Sequence, residues 1–148
     1  MNKKLVKWFA AAATAIALVA PSMQAQAAPD TFKNPIIPGF APDPTITKVG
    51  EDYYLANSSF EFFPAVPIYH SKDLVNWQLI SYAVSNPDYL PELRQVDPNR
   101  GIYAPTLRYH DGLFYMITTC VRCGDNFYVT ATNPKGPWSE PIWVEGDR

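Results

Sequence analysis

The sequence predicts an all-β fold made of repeated four-stranded antiparallel sheets, a β-propeller arrangement, and three observations carry that expectation. Laid on itself with a shift of 61 residues, the chain superposes Pro44-Thr45-Ile46 on Pro105-Thr106-Leu107, Tyr54 on Tyr115 and Trp77 on Trp138. Fifteen prolines and an aromatic content of 14% fit short strands cut by turns. No stretch of the repeat holds the sustained apolar spacing of an amphipathic helix.

Ahead of the repeat, Lys3, Lys4 and Lys7 precede an apolar run from Trp8 to Ala20, and Ala25-Gln26-Ala27 follows a short polar stretch. Residues 1–27 therefore read as a secretory signal peptide. The run is too short to span a bilayer and Pro21 closes it, so cleavage after Ala27 is expected. The mature product would be exported, periplasmic or extracellular, with no membrane attachment. Residues 28–33 read as a short linker and 34–148 as the N-terminal part of a propeller domain.

Each half of the repeat runs the same way. An entering strand leads into a turn, at Val49-Gly50-Glu51-Asp52 or His110-Asp111-Gly112, and then into an aromatic strand, Tyr53 to Ser58 or Leu113 to Thr119. A third strand is expected at Val66 to Ser71 and, with one register adjustment, at Asn126 to Thr132. The fourth is expected around Trp77 to Tyr82 and Trp138 to Val144. A propeller normally needs four or more such blades to close around its axis, and two cannot form a ring. The chain is therefore expected to be a piece of a longer product, with sheet edges and apolar faces left uncovered.

Charge narrows the partners. Loss of the three leader lysines takes the formal charge from −2 to −5, and no local run of Lys or Arg supplies a basic face. Nucleic acid is not an expected partner.

One carboxylate stands out. Asp43 lies between Pro42 and Pro44, just before the first entering strand. The ring of Pro44 is expected to hold Asp43 in an extended conformation, which suits a positioned catalytic base but also a rigid turn, the first reading on local sequence alone. The repeat separates these readings, because the 61-residue shift places Asp43 opposite Ala104. A residue needed only for the turn would more naturally recur in both copies. The start of an entering strand also lies near a propeller's central channel, where ligands bind.

The same residues carry a family resemblance. The run from Asn34 to Ile46 with Gly39-Phe40-Ala41-Pro42-Asp43-Pro44, then Ser58-Ser59-Phe60-Glu61-Phe62-Phe63-Pro64, Val66 to Trp77 with Ser71-Lys72-Asp73-Leu74-Val75-Asn76-Trp77, and Gly101-Ile102-Tyr103-Ala104-Pro105-Thr106 resemble glycoside hydrolase family 43. That family contains β-xylosidases and α-L-arabinofuranosidases. The resemblance implies a five-bladed propeller, of which this chain holds about the first two blades. It also implies hydrolysis with inversion by an Asp base, a second Asp that tunes and orients, and a Glu acid. Asp43 matches the base. Phe60 and Tyr103 match walls of the pocket for the terminal sugar, on xylan or arabinoxylan-type oligosaccharides. The second Asp and the Glu would fall beyond Arg148, so the chain alone is expected to be inactive and poorly soluble. Tyr103 stands where many xylosidases of the family have Trp. Ala65 stands where relatives often have Gly, and a positive φ there would strain it.

The remaining candidates have competing readings. Glu61, between Phe60 and Phe62, could serve as an acid with a raised pKa, or as a hydrogen-bonded strand residue. Cys120-Val121-Arg122-Cys123 follows a strand rather than opening a helix, and two thiols are too few for structural zinc. A loop disulfide between Cys120 and Cys123 is the first reading and free thiols the second. His70 and His110 lie at strand ends beside turn residues, which favours local hydrogen bonds over metal ligation. No metal and no cofactor is implied. Two further functions remain beside hydrolysis: a carbohydrate-binding β module without catalysis, and a decayed remnant.

Overall fold

The computed structural model describes residues 31–144; the expected leader, its cleavage site and the first part of the linker lie outside them. Two four-stranded antiparallel sheets follow one another, each in sequence order. The first holds β1 (Thr45–Val49), β2 (Asp52–Ala56), β3 (Ala65–Ser71) and β4 (Gln78–Val84). The second holds β5 (Gly101–His110), β6 (Leu113–Val121), β7 (Asp125–Ala131) and β8 (Ile142–Trp143). The protein is all-β in these two meanders.

The internal repeat is a repeat of register. Thr45 pairs with Ala56 and Ile46 with Leu55, while Thr106 pairs with Ile117 and Leu107 with Met116, so the 61-residue shift holds for both strands of the first hairpin. Tyr54 pairs with His70 and Tyr115 with Thr130, which places the third strand one residue out of that shift. Alternation then fixes the faces, since neighbouring residues of a strand point to opposite sides. Ala56 and Ile68 on one sheet and Met116, Phe127 and Val129 on the other are fully buried between the two. Each of the large ones, Ile68, Met116, Phe127 and Val129, contributes roughly 1.5–3 kcal/mol. Tyr54 meets Phe114 edge to face, with ring centroids 5.1 Å apart. The outer faces stay apolar and open: Ile46 and Leu79 on the first sheet and Ile117 on the second are each more than 40% exposed.

Three departures from the sequence reading have physical causes. Two short 3₁₀ turns, Pro87–Tyr89 and Pro91–Gln95, join the sheets. Asn86 caps the first by accepting from the amide of Asp88, and proline occupies the opening of each, where a missing N–H does no harm. The last strand is only two residues long instead of running from Trp138, because Pro137 and Pro141 offer no N–H to a ladder. Ser139 stands in for it, its amide donating to Thr130 O at 2.8 Å and its Oγ accepting from Thr130 N at 3.0 Å. The positive φ considered for Ala65 falls instead on Val66, at 58°.

The loop from Ser71 to Trp77 is organised by one carboxylate. Asp73 Oδ1 accepts from the amides of Asn76 at 2.7 Å and Val75 at 2.9 Å, and Oδ2 accepts from Asn76 Nδ2 at 2.7 Å. These donors, the Asn76 amide foremost, hold the Asp73 carboxyl far below the ordinary range. A carboxylate with a depressed folded pKa stabilises above its unfolded pKa and loses that contribution as pH falls through the folded value. The loop should therefore hold its full protection above about pH 4 and loosen progressively below it. Asp73→Ala should speed exchange of the Val75 and Asn76 amides by about tenfold at neutral pH, and unchanged protection would refute the role.

At the β1–β2 turn, His70 Nε2 lies 2.5 Å and Lys72 Nζ 2.8 Å from Asp52 Oδ1. Lys72 first and His70 second lower the Asp52 carboxyl, and Asp52 in turn raises the Lys72 ammonium. His110 lies 3.2 Å from Asp111. Among the described residues, no group of three or more His, Cys, Asp or Glu could hold a metal ion.

Candidate active site

Asp43 precedes β1, and its backbone is left-handed, at φ 53°, rather than extended. The expectation drawn from Pro44 fails because tertiary contacts outweigh a dipeptide preference. Ala104, opposite Asp43 in the repeat and also followed by proline, is left-handed too, at φ 37°. The kink thus belongs to the repeat, and a carboxylate is not what makes it. In the second sheet it is a bulge, where pairing skips between Tyr103 and Thr106.

Ser58, just after β2, ties the kink down. Its amide donates to Pro42 O at 3.1 Å, and its hydroxyl donates to Asp43 Oδ2 at 2.6 Å. The same Oγ accepts from the amide of Ala104 at 2.6 Å. Among the described residues Asp43 Oδ1 takes no hydrogen bond, and the residue is exposed. One carboxylate oxygen is therefore anchored, and the other has no hydrogen-bond partner among the described residues.

Phe60 and Tyr103 come together, and Tyr103 precedes Ala104, whose amide shares the Ser58 hydroxyl with Asp43. Phe60, at φ 50°, and Ile102 exchange two backbone hydrogen bonds of 3.0 Å, an isolated bridge that joins the two sheets. Gly101 permits it: at φ 95°, a Cβ there would lie 2.4 Å from Phe60 O. The bridge sets the Phe60 ring 4.9 Å from that of Tyr103 and 5.4 Å from that of Phe40, and Phe40 continues to Phe62 at 6.2 Å. Such rings offer flat apolar faces to C–H groups of a ligand. A hollow of about 360 Å³ adjoins this row, lined by Phe40, Ser58 and Phe62 with Tyr69 and Tyr82, but it does not include Asp43 itself.

The other candidates are placed around the site. Glu61 Oε2 accepts from the amide of Asn99 at 3.1 Å, and the Tyr103 hydroxyl donates to Asn99 O, so both side chains pin the turn from Asp97 to Arg100. Glu61 is thus engaged as a hydrogen-bonded structural carboxylate. Cys120 and Cys123 are joined by a disulfide with Cα atoms 5.1 Å apart, and Cys120 pairs with Ile102, next to Tyr103. The sequence reading assigned no role to Ser58 or Phe40. Both lay inside the quoted motifs, but only the return of the chain after β2 onto Pro42 reveals what Ser58 touches.

A left-handed kink bearing one acid, a row of aromatic rings and a bridge between two four-stranded meanders make up the candidate site of an all-β protein. The model of glycosyl hydrolases family 43 matches residues 32–147, and the chain belongs to that family, whose members are β-propellers. It is 56% identical over 117 residues to a non-reducing end α-L-arabinofuranosidase of Bacteroides ovatus, covering 77% of this chain and 22% of that protein. A xylosidase/arabinosidase of Butyrivibrio fibrisolvens is 51% identical over 114 residues, with the same coverage of each. Among solved structures, xylan β-1,4-xylosidase of Bacillus halodurans superposes with a TM-score of 0.70 at 46% identity, over 76% of this chain and 23% of that one. The chain thus spans about a fifth of the length of the relatives it matches.

Proposed function

We propose that this chain supplies the base-bearing part of an exported, inverting glycoside hydrolase that cleaves xylosidic or arabinofuranosidic bonds in hemicellulose-derived oligosaccharides, within a five-bladed propeller. The observation that carries the reading is the exposed Asp43 carboxylate, anchored through Oδ2 to Ser58, which also holds the amide of Ala104 next to the Phe60–Tyr103 pair. Relatives named as arabinofuranosidase and xylosidase support the substrate class. In this scheme Oδ1 takes a proton from the water attacking the anomeric carbon. A carboxylic acid across the sugar, about 6.5–9.5 Å away, protonates the leaving oxygen. Phe60 and Tyr103 wall the terminal sugar. Among the described residues Glu61 is held by Asn99, so the 148-residue chain alone is expected to lack turnover. Export rests on residues 1–27 and fits the Cys120–Cys123 disulfide, a bond favoured in oxidising compartments.

Residues 32–147 grafted in place of the matching segment of the Bacteroides ovatus arabinofuranosidase should give an enzyme that hydrolyses an aryl arabinofuranoside or aryl xyloside. Proton NMR of the first-formed sugar should show the anomer opposite to the substrate's. Retained configuration would overturn the mechanism, and a folded graft without turnover on either glycoside would overturn the substrate class.

A further inference from the structure

We propose that Ser58 is a positioning residue that fixes the rotamer of Asp43 and makes it depend on the seating of the second sheet; the link to catalysis rests on Asp43 being the base. Ser58 is 1% exposed, so its hydroxyl has no bulk water to exchange with. Two groups lie at 2.6 Å from its Oγ, the amide of Ala104 and Asp43 Oδ2. An amide N–H can only donate, so Oγ accepts there, and its single proton is committed to the carboxylate. The direction of donation is thereby fixed, from Ala104 N–H to Ser58 Oγ and from Ser58 O–H to Asp43 Oδ2. A hydroxyl-to-carboxylate bond of this length lies among the charge-assisted ones, roughly twice as strong as a neutral pair.

The backbone is tied by the same residue. Ser58 N–H holds Pro42 O at 3.1 Å, so the peptide before Asp43 and the Asp43 side chain both hang on one serine. The carboxylate is left with Oδ2 anchored and Oδ1 outward, which is the orientation a base requires. Ala104 completes the device, because it belongs to the second sheet and occupies the repeat position of Asp43 itself. Its φ of 37° turns its N–H toward Ser58 in place of a regular ladder. The copy without an acid thus supplies the donor that orders the copy with one. Were the sheets to part, Oγ would lose its donor and the hydroxyl could rotate away from Asp43.

The test is NMR of the isotopically labelled 148-residue chain, carried on a solubility-enhancing fusion partner because the chain alone is expected to be poorly soluble. Wild type should show the Hα–Hβ couplings of a single staggered rotamer at Asp43, and Ser58→Thr, which keeps the hydroxyl, should show the same. In Ser58→Ala they should collapse to rotamer-averaged values while core amide shifts stay in place. A serine that merely satisfies a buried amide would lower stability without freeing Asp43, so wild-type couplings in Ser58→Ala overturn the proposal. A second measurement does not need that variant to fold. The Ser58 hydroxyl proton should be protected in wild type and exchange at least about tenfold faster in Asp43→Ala, and equal exchange in the two would overturn the proposal. Activity is not read in either experiment. Failure of Asp43 as the base would appear only in the grafted enzyme, and failure of Ser58 only in the couplings and the exchange.

Discussion

Asp43→Asn in the grafted enzyme should lower kcat by about a thousandfold, within the range expected for removal of a positioned general base, with little change in KM. The substitution isolates the proton-accepting function. Asn has the same shape, its Oδ1 can accept from Ser58 Oγ, and it tolerates a left-handed backbone as Asp does, so the φ of 53° adds no new strain. What is lost is the ability of the outward oxygen to take a proton from water. Steady-state kinetics on the aryl glycoside, with a melting curve to verify folding, make the measurement. Undiminished turnover in a folded Asp43→Asn protein would sink the assignment. A fall in kcat accompanied by a lowered melting temperature would point to the kink instead.

Much of this arrangement was legible in the sequence because β pairing is periodic. The match of Thr45 and Ile46 with Thr106 and Leu107 predicted strands, and it became an identical register in the first hairpin of each sheet. The asymmetry of Asp43 against Ala104 was likewise visible in the self-comparison. What it could not reveal was that the two positions share a left-handed kink, since the rule for a residue before proline concerns a dipeptide, and here a bulge and the Ser58 contacts override it.

Side-chain partners were legible only where a family pattern named them. Phe60 and Tyr103 are 43 residues apart, and nothing in their spacing says that their rings lie 4.9 Å from each other. That contact follows from the bridge between Ile102 in β5 and Phe60, a residue outside the eight strands. The two 3₁₀ turns, Pro87–Tyr89 and Pro91–Gln95, were not legible in the sequence, because such short helices have too few residues to show a period. The shortened β8 reflects Pro137 and Pro141, which in the sequence flank an otherwise strand-like segment.

Gly101→Ala should destabilise the 148-residue chain by about 3–4 kcal/mol, and Gly39→Ala by only about 1–2 kcal/mol. The pair is matched in φ, at 95° and 93°, so both substitutions carry positive-φ strain, about 1–2 kcal/mol. They differ in what the new methyl meets. At Gly39 nothing lies within 4 Å, whereas at Gly101 the Cβ would sit 2.4 Å from Phe60 O and 2.7 Å from Leu93 Cδ1. The leucine can swing aside, but the carbonyl is part of the bridge. Parting the strands breaks the two 3.0 Å hydrogen bonds between Phe60 and Ile102, worth about 1 kcal/mol each. Urea midpoints of the two variants against wild type give the difference, and equal losses would show that backbone strain alone is at work. In the grafted enzyme Gly101→Ala should also raise KM, because the bridge that would be lost is the one that seats the Phe60 ring against Tyr103. A destabilised Gly101→Ala protein with wild-type KM would separate the joint from the sugar wall.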